Sequence, residues 1–442
     1  KSGFAYLIEK LQKKHEGLGT EWQELYTWYR QNPKWRKKIE QIVEACFYEK
    51  PKDGLTTRTA QRLYGTILEN SVTRLEKFSA CAYAHFLSYG LNLREREEYT
   101  FQAIDLGNIF HSAIEHFAKK LEAEGYTWTT LPEVRREELI EESVEESIVD
   151  YGNTILYSSA RNEYIIKRLK RMMRRTVWAL TKQLEKGDFM PGGYEISFGG
   201  ASGLSTSDIA LDGHGRMRLR GKIDRVDICE DEDNVYVKVI DYKTGAKAFD
   251  LGELYYGLQL QLVLYLNTAL ELESRKNHGK TVIPAGIFYY QMKDPIVDKE
   301  KDEEKLEKKI LKELRLDGVV NAREEVVRHL DREISGNSLV VPIGRNKDRS
   351  LSKASKTATQ EEFELISEYA KKQMKQIGTR ILEGETEVSP YELGTMTGCS
   401  YCPYKAICGF EEKILGYEYR RLQKLKKDEA LMKMRKEVSE WE

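Results

Sequence analysis

The sequence predicts an α/β fold, and three observations carry that prediction. Short segments of alternating polarity, separated by Gly and Asp turns, fill residues 192–243 in the manner of strands. Apolar residues at helical spacing flank them, in "IDLGNIFHSAIEHFAKKLEAEG" before and over 252–271 after. A chain of 442 residues with 40% hydrophobic content has ample material for buried cores, and its length points to two or three domains.

Taken in order, residues 1 to about 50 read as helical, with Trp22, Leu25 and Trp28 of "EWQELYTWYR" along one face. "KPKDG" at 50–54 breaks that pattern. A helix over 71–90, capped by Ser71 or Thr73, carries Cys81 midway. The next helix is capped by Asp105, and Leu106, Ile109, Phe110, Ala113, Ile114 and Phe117 form its apolar stripe. Two long charged helices follow over 132–186, then the strands, with "EDEDN" at 230–234 as a hairpin connection. An apolar helix spans 252–271 and "AGIFYYQM" is a buried strand. Residues 298–333 read as a charged helical insertion with a solvated face, and "GRNKDRSLSKASKTATQ" as a mobile loop. A helix over 360–382 leads into a cysteine-rich segment.

Global charge is silent about partners, because 71 basic residues meet 72 acidic ones. Locally, "KRLKRMMRRTVWALTK" (167–182) gathers cations on one helix beside Trp178, which makes Lys167, Arg171, Arg174 and Arg175 candidates for contact with DNA phosphates. No apolar run approaches membrane-spanning length, so no membrane partner is expected. Residue 1 is Lys, so the true start is expected to lie upstream. "HGKT" at 278–281 imitates the end of a P-loop, but Ser274 stands where the first glycine is required, and no ATP binding is expected.

The chemistry concentrates in two strands and a helix. In "RMRLRGKIDRVD" (216–227), period two sets Met217, Leu219, Gly221 and Ile223 on one face and Arg216, Arg218, Arg220, Lys222 and Asp224 on the other. Its hairpin partner is "VYVKVIDYK" (235–243), where Asp241 and Lys243 project the same way as Val235, Val237 and Val239. Pairing brings Asp224 towards Asp241. Two carboxylates beside an ammonium make a hard-oxygen site suited to Mg²⁺. His111 flanks the apolar stripe of its helix, Glu195 in "YEISFG" offers another carboxylate, and Gln261 and Tyr265 share a helix face at i, i+4.

Each of these features is ordinary alone, but their order is specific. "GNIFH" (Gly107–His111), "GKID" (Gly221–Asp224), "DYK" (Asp241–Lys243) and "QLVLY" (Gln261–Tyr265) together resemble the RecB-type branch of the PD-(D/E)xK nucleases. That resemblance implies a restriction-endonuclease-like core, a mixed β-sheet flanked by helices, over about 101–295. It implies His111, Asp224 and Asp241 as ligands of Mg²⁺, with Mn²⁺ as a substitute, and Lys243 orienting the attacking water. Gln261 and Tyr265 would position DNA or the Asp241 strand.

"GCSYCPYKAICGF" (398–410) places Cys399, Cys402 and Cys408 within ten positions of a chain that holds six cysteines. Clustered thiols in so long a chain read as metal ligands of an intracellular protein, and Cys46, Cys81 and Cys229 are the candidates for a fourth ligand. Structural zinc usually takes its ligands as two close pairs; one distant cysteine plus three clustered ones suits an iron–sulfur cluster better. A one-plus-three pattern bracketing a RecB-type core is similar to that of the iron–sulfur nucleases, which implies a 4Fe–4S cluster on Cys81, Cys399, Cys402 and Cys408. The flanks "SVTRLEKFSACAYAHFLSYGL" and "DLGELYYGLQLQLVLYL" resemble the carboxy-terminal part of the AddB family of helicase–nuclease proteins. Ala82 departs from that family, which commonly has Pro after the first cysteine, and most of the family's helicase-like portion is absent.

The resemblance implies a tail of that portion over 1–60, an iron–sulfur nuclease domain over 61–442, and the AddA helicase–nuclease as partner. It implies cytoplasmic cutting of single-stranded DNA on the strand ending 5′, in double-strand break repair. Two other readings fit the same residues: a free-standing iron–sulfur exonuclease of the CRISPR-adaptation type, and a catalytically silent module that only grips DNA.

Overall fold

The computed structural model describes residues 2–12, 21–48, 50, 54–96, 101–151, 154–199 and 204–440. Three helices open it, α1 (Ser2–Gln12), α2 (Glu21–Gln31) and α3 (Arg36–Cys46), around a small core of Leu7, Tyr29 and Ile39. Trp22 and Leu25 pack against that core as expected, but Trp28 is exposed. Seven residues bring the helix back to the face of Trp22 at Tyr29, not Trp28. The break read at 50–54 falls mostly outside the described residues.

α4 (Thr57–Tyr64) and β1 (Ile67–Asn70) lead to α5 (Val72–Ala80). The single helix expected over 71–90 stops at Cys81, whose backbone is extended, and resumes as α6 (Ala82–His85) with a π turn over Phe86–Gly90. Ala82 is thus the first residue of a helix, a position that suits proline equally, so its departure from the family leaves this helix start intact.

α7 (Ala103–Ala123), α8 (Glu133–Asp150) and α9 (Ala160–Lys186) cover one face of the central sheet, burying Phe110, Phe117, Val144, Met173 and Val177 against Tyr236, Ile240 and Phe288. α7 starts before Asp105. Gln102 is its cap, and Asp105 closes a capping box by accepting the Gln102 N–H at 2.7 Å.

The strands follow as β2 (Met190–Phe198), β3 (Asp208–Ala210), β4 (Arg216–Leu219), β5 (Gly221–Glu230) and β6 (Asn234–Lys243). Next come α10 (Leu251–Tyr255), α11 (Gln261–Lys276), β7 (Thr281–Gln291), α12 (Glu303–Glu313), β8 (Asp317–Asn321), α13 (Glu324–Leu330), β9 (Thr357–Ala358) and α14 (Gln360–Glu383). The central sheet is mixed, in the order β2-β5-β6-β7-β8-β9, and β1, β4 and β3 form a small second sheet. β5 and β6 make the expected antiparallel hairpin, and β6 runs parallel to β7 through the α10–α11 crossover. The other sheet face packs Val235, Val237 and Val239 on Leu262, Val263, Met374 and Ile377 of α11 and α14.

Three expectations are corrected. The helix over 252–271 is two helices, divided at Gly257, whose φ of +73° ends α10. The charged stretch 298–333 is not a solvated insertion throughout. It holds β8 and α13, whose Val319, Val320, Val326 and Val327 are core residues. The loop after 343 is held by an Arg345–Leu351 bridge and contains β9, the last strand of the sheet.

The chain ends with β10 (Tyr391–Leu393), β11 (Met396–Thr397), α15 (Lys405–Cys408), β12 (Arg420–Arg421) and α16 (Lys427–Glu440). Among the described residues no helix is long and apolar enough to cross a membrane.

Candidate active site

The site forms where period two fails. Ile223 and Val226 lie in the same core, so the alternation of β5 slips by one residue between them. Asp224 occupies the slip. Its Oδ2 accepts the N–H of Tyr242 at 2.7 Å, so the carboxylate stands in for a strand carbonyl at the end of the β5–β6 ladder. On the other side, Tyr194 pairs with Arg225 and Ile196 with Ile223, which leaves Glu195 across from Asp224. Glu195 has a φ of +48°, a left-handed conformation that costs a side-chain-bearing residue on the order of 1 kcal/mol or more. That strain turns its carboxylate towards His111 of α7.

His111 Nδ1 lies 3.4 Å from Glu195 Oε1 and 3.5 Å from Asp224 Oδ2. Among the described residues, His111, Glu195 and Asp224 are the group whose ligand atoms all fall within 4.8 Å of one another. Asp241, expected as the third ligand, is also brought to the site, but its Oδ2 is taken by Lys243 Nζ at 2.5 Å. Among the described residues its buried Oδ1 has no hydrogen-bond partner. Glu195 is therefore a candidate ligand that sequence reasoning noted but did not place.

The electrostatics show a site short of positive charge. Burial, then the Asp241 charge, pushes the Asp224 carboxyl up to about 7. Burial raises Asp241 as well, against the pull of Lys243. For Glu195, burial is outweighed by the His111 and Lys222 contacts, which hold its carboxyl below the usual range. Burial opposes the His111 imidazolium, yet Glu195, Asp224 and Asp241 prevail and raise its pKa. A divalent cation fits this donor set, since it would answer the orphaned Asp241 oxygen and the crowding of carboxylates together. An open cleft lined by Asn108, His111, Ser112, Glu115, Glu195 and Lys222 leads in from solvent.

Lys243 is anchored on its other side. Its Nζ donates to Gln261 Oε1 at 3.1 Å, and Gln261 Nε2 donates to Tyr265 Oη at 3.0 Å. Gln261 and Tyr265 thus hold the lysine that faces Asp241. Behind Asp224, buried Arg225 grips Asp227 through Nε at 2.5 Å and Nη2 at 3.0 Å, and Lys238 joins at 2.9 Å. Sequence reasoning passed over this triad, because its members alternate as any exposed strand residues would.

The thiols form a second candidate ligand set. Cys81, Cys399, Cys402 and Cys408 line one small cavity with Tyr404 and Phe410. Cys46 is on α3 and Cys229 on β5, away from this cavity. Burial raises the Cys399 and Cys402 thiols, and the other thiols of the set add to the rise. Arg420 ties the region together, donating to the carbonyls of Ser79 and, at 2.8 Å, Ser389.

The basic helix α9 is mostly committed within the fold. Lys170 and Arg174 pair with Glu141 of α8, and Arg171 and Arg175 face Asp294 at 2.5 and 3.7 Å. Lys167 remains exposed. Lys280 of "HGKT" is likewise engaged, by Glu230 at 3.2 Å.

Comparison with known proteins agrees with this geometry. Residues 69–409 match the model of the PD-(D/E)XK nuclease superfamily, and residues 1–45 that of the ATP-dependent helicase/deoxyribonuclease AddB fifth domain. The chain is similar to a component of the ATP-dependent helicase/deoxyribonuclease of Lachnoclostridium phytofermentans, 40% identical over 98% of this chain, and to that of Alkaliphilus metalliredigens, 36% identical over 99%. The same component in Thermoanaerobacter pseudethanolicus is 37% identical over 95%. The chain spans 36–38% of the length of these relatives.

Proposed function

The chain belongs to the PD-(D/E)XK nuclease superfamily, and from that premise we propose that it is a divalent-metal-dependent deoxyribonuclease that hydrolyses phosphodiester bonds in single-stranded DNA. The observation that carries the reading is the convergence of His111, Glu195 and Asp224 beside the Asp241–Lys243 pair. His111, Asp224 and Asp241, with Glu195 added, would hold Mg²⁺ or Mn²⁺. The cation supplies Lewis acidity for the scissile phosphate. Lys243, held by Asp241 and Gln261, orients the attacking water and faces the charge that grows on the phosphate oxygens. Tyr265 and Gln261 keep that ammonium in place. His111, pinned by Glu195, gives the centre a nitrogen donor that makes Mn²⁺ a good substitute.

The four thiols would hold a 4Fe–4S cluster, whose part is to tie the chain closed. Their one-plus-three order in the sequence supports it over zinc. On similarity to the relatives above, the exonucleolytic cutting of the strand ending 5′, partnership with AddA and a cytoplasmic role in break processing are assigned to the longer protein. Residues 1–60 are then the tail of its helicase-like region and 61–442 its nuclease domain. The match of residues 1–45 favours this over a free-standing exonuclease. The test is Mg²⁺-dependent cleavage of end-labelled single strands by the chain and by Asp241→Ala. Equal cleavage by both would remove the site assignment. Iron and sulfide analysis of anaerobically purified protein tests the cluster, and stoichiometric zinc in colourless protein would sink it.

A further inference from the structure

The helix that ends at Cys81 also reaches the active centre. Glu76 lies on α5, half-buried, five residues before that cysteine. One oxygen of its carboxylate, Oε1, accepts the backbone N–H groups of Leu260 at 2.8 Å and Gln261 at 3.1 Å. These are the opening amides of α11, which have no partner within the helix, and Leu260 makes no side-chain cap of its own. A carboxylate from another helix therefore caps α11 from outside and meets the positive end of its dipole. The charges of Lys247 and Lys243 act on the same carboxylate, and both ammonium groups sit over the Tyr289 ring, 5.2 and 5.7 Å from its centre.

What Glu76 holds is the first turn of α11, and that turn carries Gln261. Gln261 bridges Lys243 at 3.1 Å and Tyr265 at 3.0 Å. A shift of this turn would move the acceptor of the Lys243 ammonium, while Asp241, on its own strand, would stay.

We propose that Glu76 is a positioning residue for the nuclease centre: by capping α11 from α5 it sets the place of Gln261, and through Gln261 the place of Lys243 beside Asp241. The inference rests on the reading of this centre as a nuclease. It gives α5 two tasks, since its end at Cys81 would hold the proposed cluster with the C-terminal thiols while its middle holds the lysine side of the centre.

The test compares Glu76→Ala and the isosteric Glu76→Gln with the unmodified chain, all carrying their iron. Amide hydrogen exchange is read over 260–264, with kcat and KM on single-stranded DNA with Mg²⁺, and iron content. In Glu76→Ala the α11 amides should exchange about tenfold faster, as loss of bonds to a charged acceptor implies. Its kcat should fall about ten- to a hundredfold at unchanged KM and iron content. Glu76→Gln keeps an acceptor oxygen, so it should regain slow exchange but only part of kcat, because Asp241 is then left as the anion beside Lys243 without the added charge of Glu76. Unchanged exchange and kcat in Glu76→Ala would overturn the inference, as would iron loss in proportion to kcat, which would make Glu76 a support of the thiol cavity alone. Should the unmodified chain not cleave, the nuclease reading falls, and the exchange data still decide whether Glu76 holds Gln261.

Discussion

His111, Glu195, Asp224 and Asp241 are gathered from one helix and three paired strands, whereas the four thiols are gathered from two short segments separated by 317 residues. The first group has a rigid scaffold and uneasy electrostatics, with two raised carboxyls and a left-handed Glu195. The second has little regular scaffold, since Cys81 stands at a helix break and Cys399 and Cys402 lie in turns. Scaffold without comfort is what a catalytic centre needs, because its strain is answered by a ligand. A closure across the chain needs the reverse: its contribution comes from the segments it joins.

Breaking one region should therefore leave the other standing. Asp241→Ala is expected to reduce cleavage on the order of 10³-fold, by removing a ligand and the partner of Lys243 together. Thermal melting without divalent metal should show no loss of stability, and even a gain, since a buried carboxyl with a raised pKa is gone. Cys81→Ala should act the other way. Releasing a closure over 317 residues should cost on the order of 5 kcal/mol, by analogy with a disulfide. Melting of the iron-loaded protein should fall well below that of Asp241→Ala, while cleavage per folded molecule at low temperature stays close to normal. Equal melting of the two variants would erase the distinction between the regions.

A gentler probe is proton competition at the metal centre. Asp224, raised to about 7, must lose its proton to bind a cation. Apparent Mn²⁺ affinity should fall about tenfold per pH unit below 7 and level off above it. Isothermal titration at pH 6, 7 and 8 checks this, and a flat profile would remove Asp224 from the ligand set. The same shift has a stability consequence. A carboxyl raised on folding stabilises the metal-free protein below the unfolded value of about 4, and that contribution is lost as pH rises through 7.

The parts of both regions that were legible in the sequence are those governed by local rules. Strand alternation placed Asp241 with Lys243, and close cysteine spacing marked the thiols. What escaped depends on cross-chain geometry. Glu195 reaches His111 and Asp224 because its φ is +48° and it lies across from Asp224, which no one-strand pattern reveals. Glu76 caps a helix that begins 185 residues later. The break at Cys81 hides in a stretch of good helix formers, and β8 hides in a charged segment because α12 beside it is largely solvated.

His85 gives the comparison its sharpest form, because the thiol side responds to pH with the opposite sign. His85 lies four residues after Cys81, only 2% exposed among the rings of Tyr64, Phe78 and Tyr89. Burial, then the charges of Arg74 and Lys77, depresses its pKa to about 3. A histidine kept neutral on folding contributes stability above its unfolded value of about 6.5, and that contribution is lost as pH falls towards 3. The loss approaches about 1.4 kcal/mol per pH unit for one proton. Acid should therefore loosen the thiol side while it quiets the crowded carboxylates. His85→Phe, which keeps a ring in the same packing, should flatten the loss of stability and of iron between pH 6.5 and about 4, and should leave the pH profile of Mn²⁺ binding where it was. If the variant released iron along the same acid curve as the unmodified chain, the acid sensitivity would belong to the thiols themselves and not to the packing around Cys81.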